Sequence, residues 1–270
     1  MRTVVGDISF WRLLKSIIVI YLCLMLFALL VADRMIFQPQ PPSYSDSDEI
    51  IKLSTGSDRT ISALYLANPE AEYTVLYSHG NAEDLGDFRQ FLKEYREQGV
   101  SVFAYDYSGY GTSEGSPSCE NVYEDADVAL AYLVETERIP LDRIIIHGRS
   151  VGGGPAVYLA EKNAVAGLIV ESSFVSAFRV ITRIPVLPFD KFPNIARIGK
   201  VNCPVLVIHG RKDEVIPFWH GEALYRRAQE PKECCWLDDA THNYVPRESQ
   251  QTIWGAIEAF VRSLENADLE

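Results

Sequence analysis

A serine flanked by glycines stands where a predicted strand turns into a predicted helix. The segment Gly148-Arg149-Ser150-Val151-Gly152 is a G-x-S-x-G motif. A nucleophilic serine needs such a sharp turn, because small neighbours leave its hydroxyl exposed at the edge of a sheet. The start of a helix also favours the negative charge that develops during acyl transfer. The motif alone also fits a glycine-rich turn of a nucleotide-binding fold, so the surrounding residues must decide between the two.

A serine hydroxyl becomes a good nucleophile only when a base removes its proton. The chain has five histidines, and His242 is the one in a loop between the last predicted strand and the last predicted helix. Asp213 follows the preceding strand, and we favour it over Glu214 by likeness to the same turn in related hydrolases. Alone, Asp213 fits a simple turn and His242 a surface loop. The chain order serine, acid, histidine predicts a catalytic triad of Ser150, Asp213 and His242.

Stabilising the tetrahedral intermediate of acyl transfer requires two backbone N–H groups that point at its oxygen. The residue after the nucleophile, Val151, is the first expected donor. The second should come from the loop after the predicted strand at 74–78, which begins His79-Gly80-Asn81. We predict Asn81 as this donor, with Ala82 as the alternative.

Strand-like and helix-like segments alternate along the chain and place these residues. Strands are predicted at 60–66, 74–78, 101–105, 143–147, 167–171, 204–209 and 232–237. Helices are predicted at 85–98, 120–136, 150–162, 218–228 and 249–264. Because several strands are uninterrupted apolar runs, the pattern predicts an α/β fold with a mostly parallel sheet and helices on both faces.

Composition restricts the classes of function. The 270 residues carry 37 acidic and 25 basic side chains, a formal net charge of -12. Such a surface repels phosphate backbones, so nucleic acid is not an expected partner. The five cysteines show no regular spacing, which argues against a disulfide framework or a zinc site. We therefore expect neither a metal ion nor another cofactor.

An apolar segment near the N-terminus predicts a membrane anchor. Residues 17–32 contain no charge, and a helix over 13–32 has about the 20 residues needed to cross a bilayer. Trp11 stands where an interfacial aromatic residue is expected. We therefore predict a single-pass membrane protein.

The basic residues near the anchor predict its orientation. Arg2, Arg12 and Lys15 precede the apolar run, so the N-terminus should be cytoplasmic and the remaining chain exoplasmic. A cleaved signal peptide is the alternative, although Leu30 occupies a position where its cleavage site prefers a small residue. The predicted division is an anchor at 1–35, a proline-rich linker at 36–49 and a catalytic domain at 50–265.

One segment of about thirty residues interrupts the alternation of strands and helices. Residues 172–200 are rich in Phe, Ile, Val and Pro. We predict that they form a small cap over Ser150, with Phe174, Phe178 and Phe189 lining an acyl-binding groove. The alternative is that these side chains extend the core.

Four motifs together resemble a known family. They are residues 79–86 (HGNAEDLG), 105–111 (YDYSGYG), 148–152 (GRSVG) and the pair 207–210 (VIHG) and 213–216 (DEVI). They are similar to those of the membrane-associated α/β-hydrolase domain-containing families 17 and 13, from about residue 36 onward. The resemblance implies the α/β-hydrolase fold and a hydrolase of acyl esters or thioesters, acting on acyl-containing small molecules, lipids or acylated proteins.

The N-terminus departs from the pattern of family 17. Members of that family remove palmitoyl groups from proteins and reach membranes through an acylated cysteine-rich segment. The single apolar helix predicted here is more similar to family 13, so the palmitoyl-protein substrate does not follow.

Two other functions also fit the residues. A serine peptidase of the oligopeptidase type shares the triad, but it normally carries a β-propeller for which this chain has no room. A binding protein that kept the fold without catalysis is the second, and the complete set of triad residues argues against it.

Overall fold

The described part of the N-terminal unit is a single long helix. The computed structural model describes residues 10–56 and 58–267, and it divides into two compact units between Ile36 and Phe37. Helix α1 covers Phe10–Ile36, 27 residues with a mean hydropathy of 2.6 over an 18-residue window. By length and composition it is sufficient to cross a membrane. Arg2, used above to orient the anchor, lies outside the described residues.

The second unit is built on one sheet. Its described strands are β1 Ile50–Ser54, β2 Thr60–Leu66, β3 Thr74–Ser78, β4 Ser101–Tyr105, β5 Ile144–Arg149, β6 Gly167–Glu171, β7 Val205–Gly210 and β8 Lys232–Leu237. They lie in the order β1-β2-β4-β3-β5-β6-β7-β8. The pairs β1–β2 and β2–β4 are antiparallel and all others are parallel. The predicted mostly parallel sheet is confirmed.

Helices cover both faces of the sheet. They are α2 Arg89–Glu97, α3 Cys119–Ala131, α4 Gly153–Lys162, α5 Ala177–Thr182, α6 Asn194–Arg197, α7 Trp219–Arg227 and α8 Arg247–Ala267. All residues of β3, β4 and β6 are buried, as continuous apolar runs in a doubly covered sheet require.

The predicted helix at 85–98 begins later than expected, at Arg89. The backbone N–H of Leu85 donates to Oδ1 of Asp106 over 3.0 Å, at the end of β4. The backbone N–H of Asp87 donates to the carbonyl oxygen of Asp84 over 2.9 Å, and residues 85–88 form turns rather than the first turn of the helix. These turns belong to the loop that carries Asn81.

The edge strand β1 was not predicted. It has only five residues, and Leu53 is the one fully buried among them. A short, half-exposed edge strand gives only a weak pattern, because little of it faces the core. Its antiparallel pairing with β2 extends the sheet away from Ser150.

The segment after α1 lies along the sheet-containing unit. We call residues 37–44 the strap, since backbone or side-chain groups within it bind the loops after β3 and β4. The hydrogen bonds are Gln38 N–H to Asn81 Oδ1 at 2.9 Å, Ser43 N–H to Asp84 Oδ2 at 2.7 Å and Tyr44 O–H to Asp106 Oδ2 at 2.6 Å. The composition of this stretch indicated only a proline-rich linker, whereas in the structure it holds the loop of Asn81.

The insert at 172–200 has a buried base and an exposed tip. At the base, Phe192 packs edge-on against Phe37 of the strap, with ring centroids 5.9 Å apart. At the tip, Ile181 and Ile184 are 79% and 65% exposed. The insert contains α5 and α6 and joins β6 to β7.

Candidate active site

Ser150 occupies a strained turn between β5 and α4. Its φ of +53° lies in the left-handed region, which is unusual for a residue with a side chain. The flanking glycines allow this turn. A Cβ on Gly148 would lie 2.2 Å from the carbonyl oxygen of Gly152, and one on Gly152 would lie 2.0 Å from that of Ser78. The glycines of the motif are therefore required by close backbone approach, as in a nucleophile elbow.

The structure brings the three predicted triad residues together. Oγ of Ser150 lies 3.1 Å from Nε2 of His242, and Nδ1 of His242 lies 2.8 Å from Oδ2 of Asp213. All three side chains are buried. They come from the loops after β5, β8 and β7, at the carboxyl edge of the sheet. This geometry suits proton transfer from the hydroxyl to the imidazole.

Asp213 is fixed by its own loop. Its second oxygen, Oδ1, accepts the backbone N–H groups of Val215 at 3.0 Å and Ile216 at 2.7 Å. Oδ2 therefore remains directed at the imidazole. Glu214, the alternative acid, only accepts the backbone N–H of His242, over 3.4 Å. The geometry thus favours Asp213 as the partner of the ring.

The loop that carries Asn81 is held from several sides. Oδ1 of Asn81 accepts a hydrogen bond from the hydroxyl of Tyr110 at 2.6 Å and another from the backbone N–H of Gln38 in the strap. The carbonyl oxygen of Gly80 lies 2.7 Å from Nδ1 of His79. Ala82, the residue after Asn81, has a φ of +58°. Val151 lies in the helical turn that begins at Ser150. The roles of Asn81, Ala82 and Val151 as oxyanion donors stay predictions.

The other four histidines are buried. Burial lowers the pKa values of His79 and His220 to about 4, and it also lowers the pKa of His209, so these rings are neutral near pH 7. His147 lies between Tyr95 and Glu171. Within the described part of the chain, no three His, Cys, Asp or Glu side chains are grouped so as to hold a metal ion.

The three phenylalanines predicted to line an acyl groove differ in exposure. Phe174 is buried and packs at 6.3 Å against Phe192. Phe178 and Phe189 are half-buried and face each other edge-on at 6.1 Å. The insert is tied to the nucleophile near its start, because the hydroxyl of Ser173 donates to the carbonyl of Ser150 over 2.7 Å.

Arg149 and Glu171 lie beside the triad, and neither was among the site residues predicted from the sequence. The carbonyl oxygen of His242 accepts a hydrogen bond from Arg149 at 3.0 Å, and Glu171 lies 3.7 Å from the same guanidinium. The available signal was a charged residue at the variable position of the motif, immediately before the nucleophile.

Solved structures with a similar fold include hydrolases. The esterase Pf2001 of Pyrococcus furiosus superposes with a TM-score of 0.69, covering 84% of this chain and 98% of that one at 17% identity. An alpha-beta serine hydrolase homologue from Coxiella burnetii gives a TM-score of 0.63, covering 82% of this chain and all of that one at 20% identity. Similarity at this level of identity establishes the fold.

Sequence relatives establish the family. The family model Hydrolase_4, described as serine aminopeptidase S33, matches residues 69–189. Alpha/beta hydrolase domain-containing protein 17B of Xenopus tropicalis is 41% identical over 204 residues, 74% of this chain and 71% of that protein. The human protein 17B is 40% identical with the same coverage. Mouse protein 17C is also 40% identical, over 74% of this chain and 64% of that protein. The chain therefore belongs to the α/β hydrolase domain-containing 17 family, within the α/β-hydrolase superfamily.

Proposed function

We propose that the chain is a serine hydrolase that cleaves acyl esters or thioesters through Ser150, His242 and Asp213. The observation that carries the proposal is the continuous line of hydrogen-bonding distances through the three side chains, 3.1 Å at the hydroxyl and 2.8 Å at the carboxylate. Membership of a hydrolase family supports the reaction type.

The first half-reaction acylates the enzyme. Nε2 of His242 takes the proton of Ser150 as Oγ forms a bond to the substrate's carbonyl carbon. Negative charge collects on the carbonyl oxygen, which the backbone N–H groups of Val151 and Asn81, or Ala82 as the alternative, stabilise. The carbon–oxygen or carbon–sulfur bond then breaks, and the alcohol or thiol leaves with the proton from Nε2.

The second half-reaction releases the acid. Water gives a proton to Nε2 and attacks the acyl carbon, and the bond to Oγ breaks as Ser150 regains a proton. In both halves Asp213 accepts a hydrogen bond from Nδ1–H of His242. This bond fixes the ring tautomer that leaves Nε2 free to take a proton.

Turnover of a substrate panel by the full-length chain tests the proposal. The panel contains p-nitrophenyl esters, acyl thioesters and aminoacyl p-nitroanilides, the last because the matching family model describes aminopeptidases. The proposal expects release of acid from esters or thioesters. Turnover of the anilides alone would establish a peptidase instead, and a complete lack of turnover would indicate a binding protein.

We propose further that the insert binds the acyl chain. Replacing both Phe178 and Phe189 by alanine should lower the preference for a twelve-carbon over a two-carbon p-nitrophenyl ester by about tenfold, since a buried methylene contributes about 0.8 kcal/mol. The measurement is the ratio of kcat/KM values for the two esters. Phe174, the third residue predicted to line the groove, is buried and packs against Phe192.

The control is Ile181→Ala in the same insert. This side chain is 79% exposed at the tip, so its truncation should leave the ratio unchanged. An unchanged ratio in the double phenylalanine variant would exclude the groove and leave the rings as an extension of the core.

We also propose that α1 is a retained single-pass anchor and that the catalytic unit is exoplasmic, with lipids or acylated proteins as substrates. Arg12 and Lys15 near the start of α1 support this orientation. In microsomes the chain should resist alkaline extraction, and an N-glycosylation site added after residue 270 should be modified. Modification of a site added before α1 instead would reverse the orientation.

A further inference from the structure

The arginine that precedes the nucleophile contacts two other loops of the site and the end of β6. Arg149 is the last residue of β5, and its side chain is 19% exposed. Its Nη1 donates to Oε1 of Glu83, and its Nη2 donates to the carbonyl oxygen of His242 over 3.0 Å. Its Nε lies 3.7 Å from Oε1 of Glu171. One planar guanidinium therefore joins the loops after β3 and β8 to the last residue of β6.

Glu83 transmits this contact to the loop of the predicted oxyanion donor. One of its oxygens faces Arg149, and the other accepts the backbone N–H of Gly80 over 3.1 Å. Gly80 directly precedes Asn81. The position of the Asn81 backbone is thus coupled through a single carboxylate to the last residue of β5, which directly precedes Ser150.

Glu171 is held from its other side. Its Oε2 lies 3.1 Å from Nε2 of His147, and Nδ1 of His147 lies 2.5 Å from the hydroxyl of Tyr95. Burial alone opposes ionisation of Glu171, but the hydrogen bond from His147 and the nearby positive charges outweigh it and lower the pKa of this carboxyl. Burial also disfavours the charged form of Arg149, but Glu83, Tyr77 and Glu171 outweigh burial, so the pKa of this guanidinium is raised above its usual value.

We infer that Arg149 is a positioning residue that sets the oxyanion loop, the nucleophile and the backbone of the base relative to one another. A planar fork with several N–H donors suits this role, because it reaches a carboxylate and a carbonyl in fixed directions at once. This inference rests on the proposed function, since it assigns Arg149 to the reaction of Ser150 and His242.

The variants Arg149→Met and Arg149→Lys in the full-length chain test the role. With a short p-nitrophenyl ester, Arg149→Met should lower kcat by about 100-fold with KM within about threefold, as misplacement of reacting groups by about 1 Å does. Arg149→Lys keeps the positive charge but lacks the forked guanidinium. Its melting temperature should therefore equal that of the wild type, while its kcat should stay at least about tenfold below the wild-type value.

The matched control is Arg143→Met at the opposite end of the same strand. Arg143 immediately precedes β5 and pairs with Glu72 over 2.5 Å, far from Ser150. Its loss should leave kcat within about twofold of the wild-type value, as is usual for a surface ion pair.

A smaller variant, Arg149→Ala, should regain activity with millimolar guanidinium but not with ammonium at the same concentration.

The outcomes separate the two proposals. An inactive wild-type chain would overturn the hydrolase assignment and the positioning role with it. An active wild type with Arg149→Met equal to Arg143→Met would overturn the positioning role alone. A wild-type kcat in Arg149→Lys would show that a positive charge suffices without the forked guanidinium. Unfolding of both Arg149→Met and Arg149→Lys would show that Arg149 is required for folding. Either result would also overturn the positioning role.

Discussion

Replacing Ser150 by alanine is expected to abolish labelling by a fluorophosphonate probe and to lower ester turnover by about 10⁴-fold or more. The probe forms a bond only with a serine whose proton has a nearby acceptor, and Nε2 of His242 lies 3.1 Å from this hydroxyl. The variant lacks the atom that carries the acyl group. The measurements are in-gel fluorescence and initial rates on the full-length chain.

The matched control for this substitution is Ser101→Ala. Ser101 is also buried, but it lies at the start of β4, whereas the triad lies at the carboxyl edge of the sheet. Its hydroxyl donates to the carbonyl of Asn68 over 3.2 Å. Labelling should persist in this variant. A Ser150→Ala chain that still reacts with the probe would show that the nucleophile is a different residue.

Replacing Asp213 by asparagine should lower kcat by about 10⁴-fold with little change in KM, as for other buried acids of such triads. Oδ1 of Asp213 accepts two backbone N–H groups, so the amide oxygen of asparagine will take that position. Its NH₂ group then faces Nδ1 of His242, where the carboxylate had been. The ring must accept at Nδ1 and carry its proton on Nε2, so it can no longer take the proton of Ser150.

Glu214→Gln provides the control, because it makes the same chemical change at the next residue. Glu214 reaches only the backbone N–H of His242, over 3.4 Å. Its kcat should stay within about threefold of wild type. Steady-state kinetics of both variants decides the assignment, and the reverse ranking of the two effects would identify Glu214 as the acid.

Residue types and chain order predicted the sheet and the proximity of Ser150, Asp213 and His242. They did so because the carboxyl ends of parallel strands meet at one edge, and because the turn around Ser150 tolerates only glycine at Gly148 and Gly152. Strand order and the need for glycine at these two positions are constraints that can be read directly from a sequence.

The contacts of Arg149 and of the strap could not be predicted in the same way. Arg149 and Glu83 are separated by 66 residues, and Gln38 and Asn81 by 43. Hydrogen bonds over such separations depend on tertiary packing, which neither hydrophobic periodicity nor motif spacing encodes. The edge strand β1 was missed for a different reason, since its exposed side chains show little alternation.

The strap has a consequence for any released form of the protein. Cleavage after Ala32 would remove most of α1 and leave residues 37–44, with their hydrogen bonds to Asn81, Asp84 and Asp106, attached to the enzyme. A recombinant fragment that starts at Ile50 would lack them, so the loop after β3 would lose its hydrogen bonds at Asn81 and Asp84, and the loop after β4 would lose the one at Asp106. A shortened chain that preserves these hydrogen bonds therefore has to keep residues 37–44.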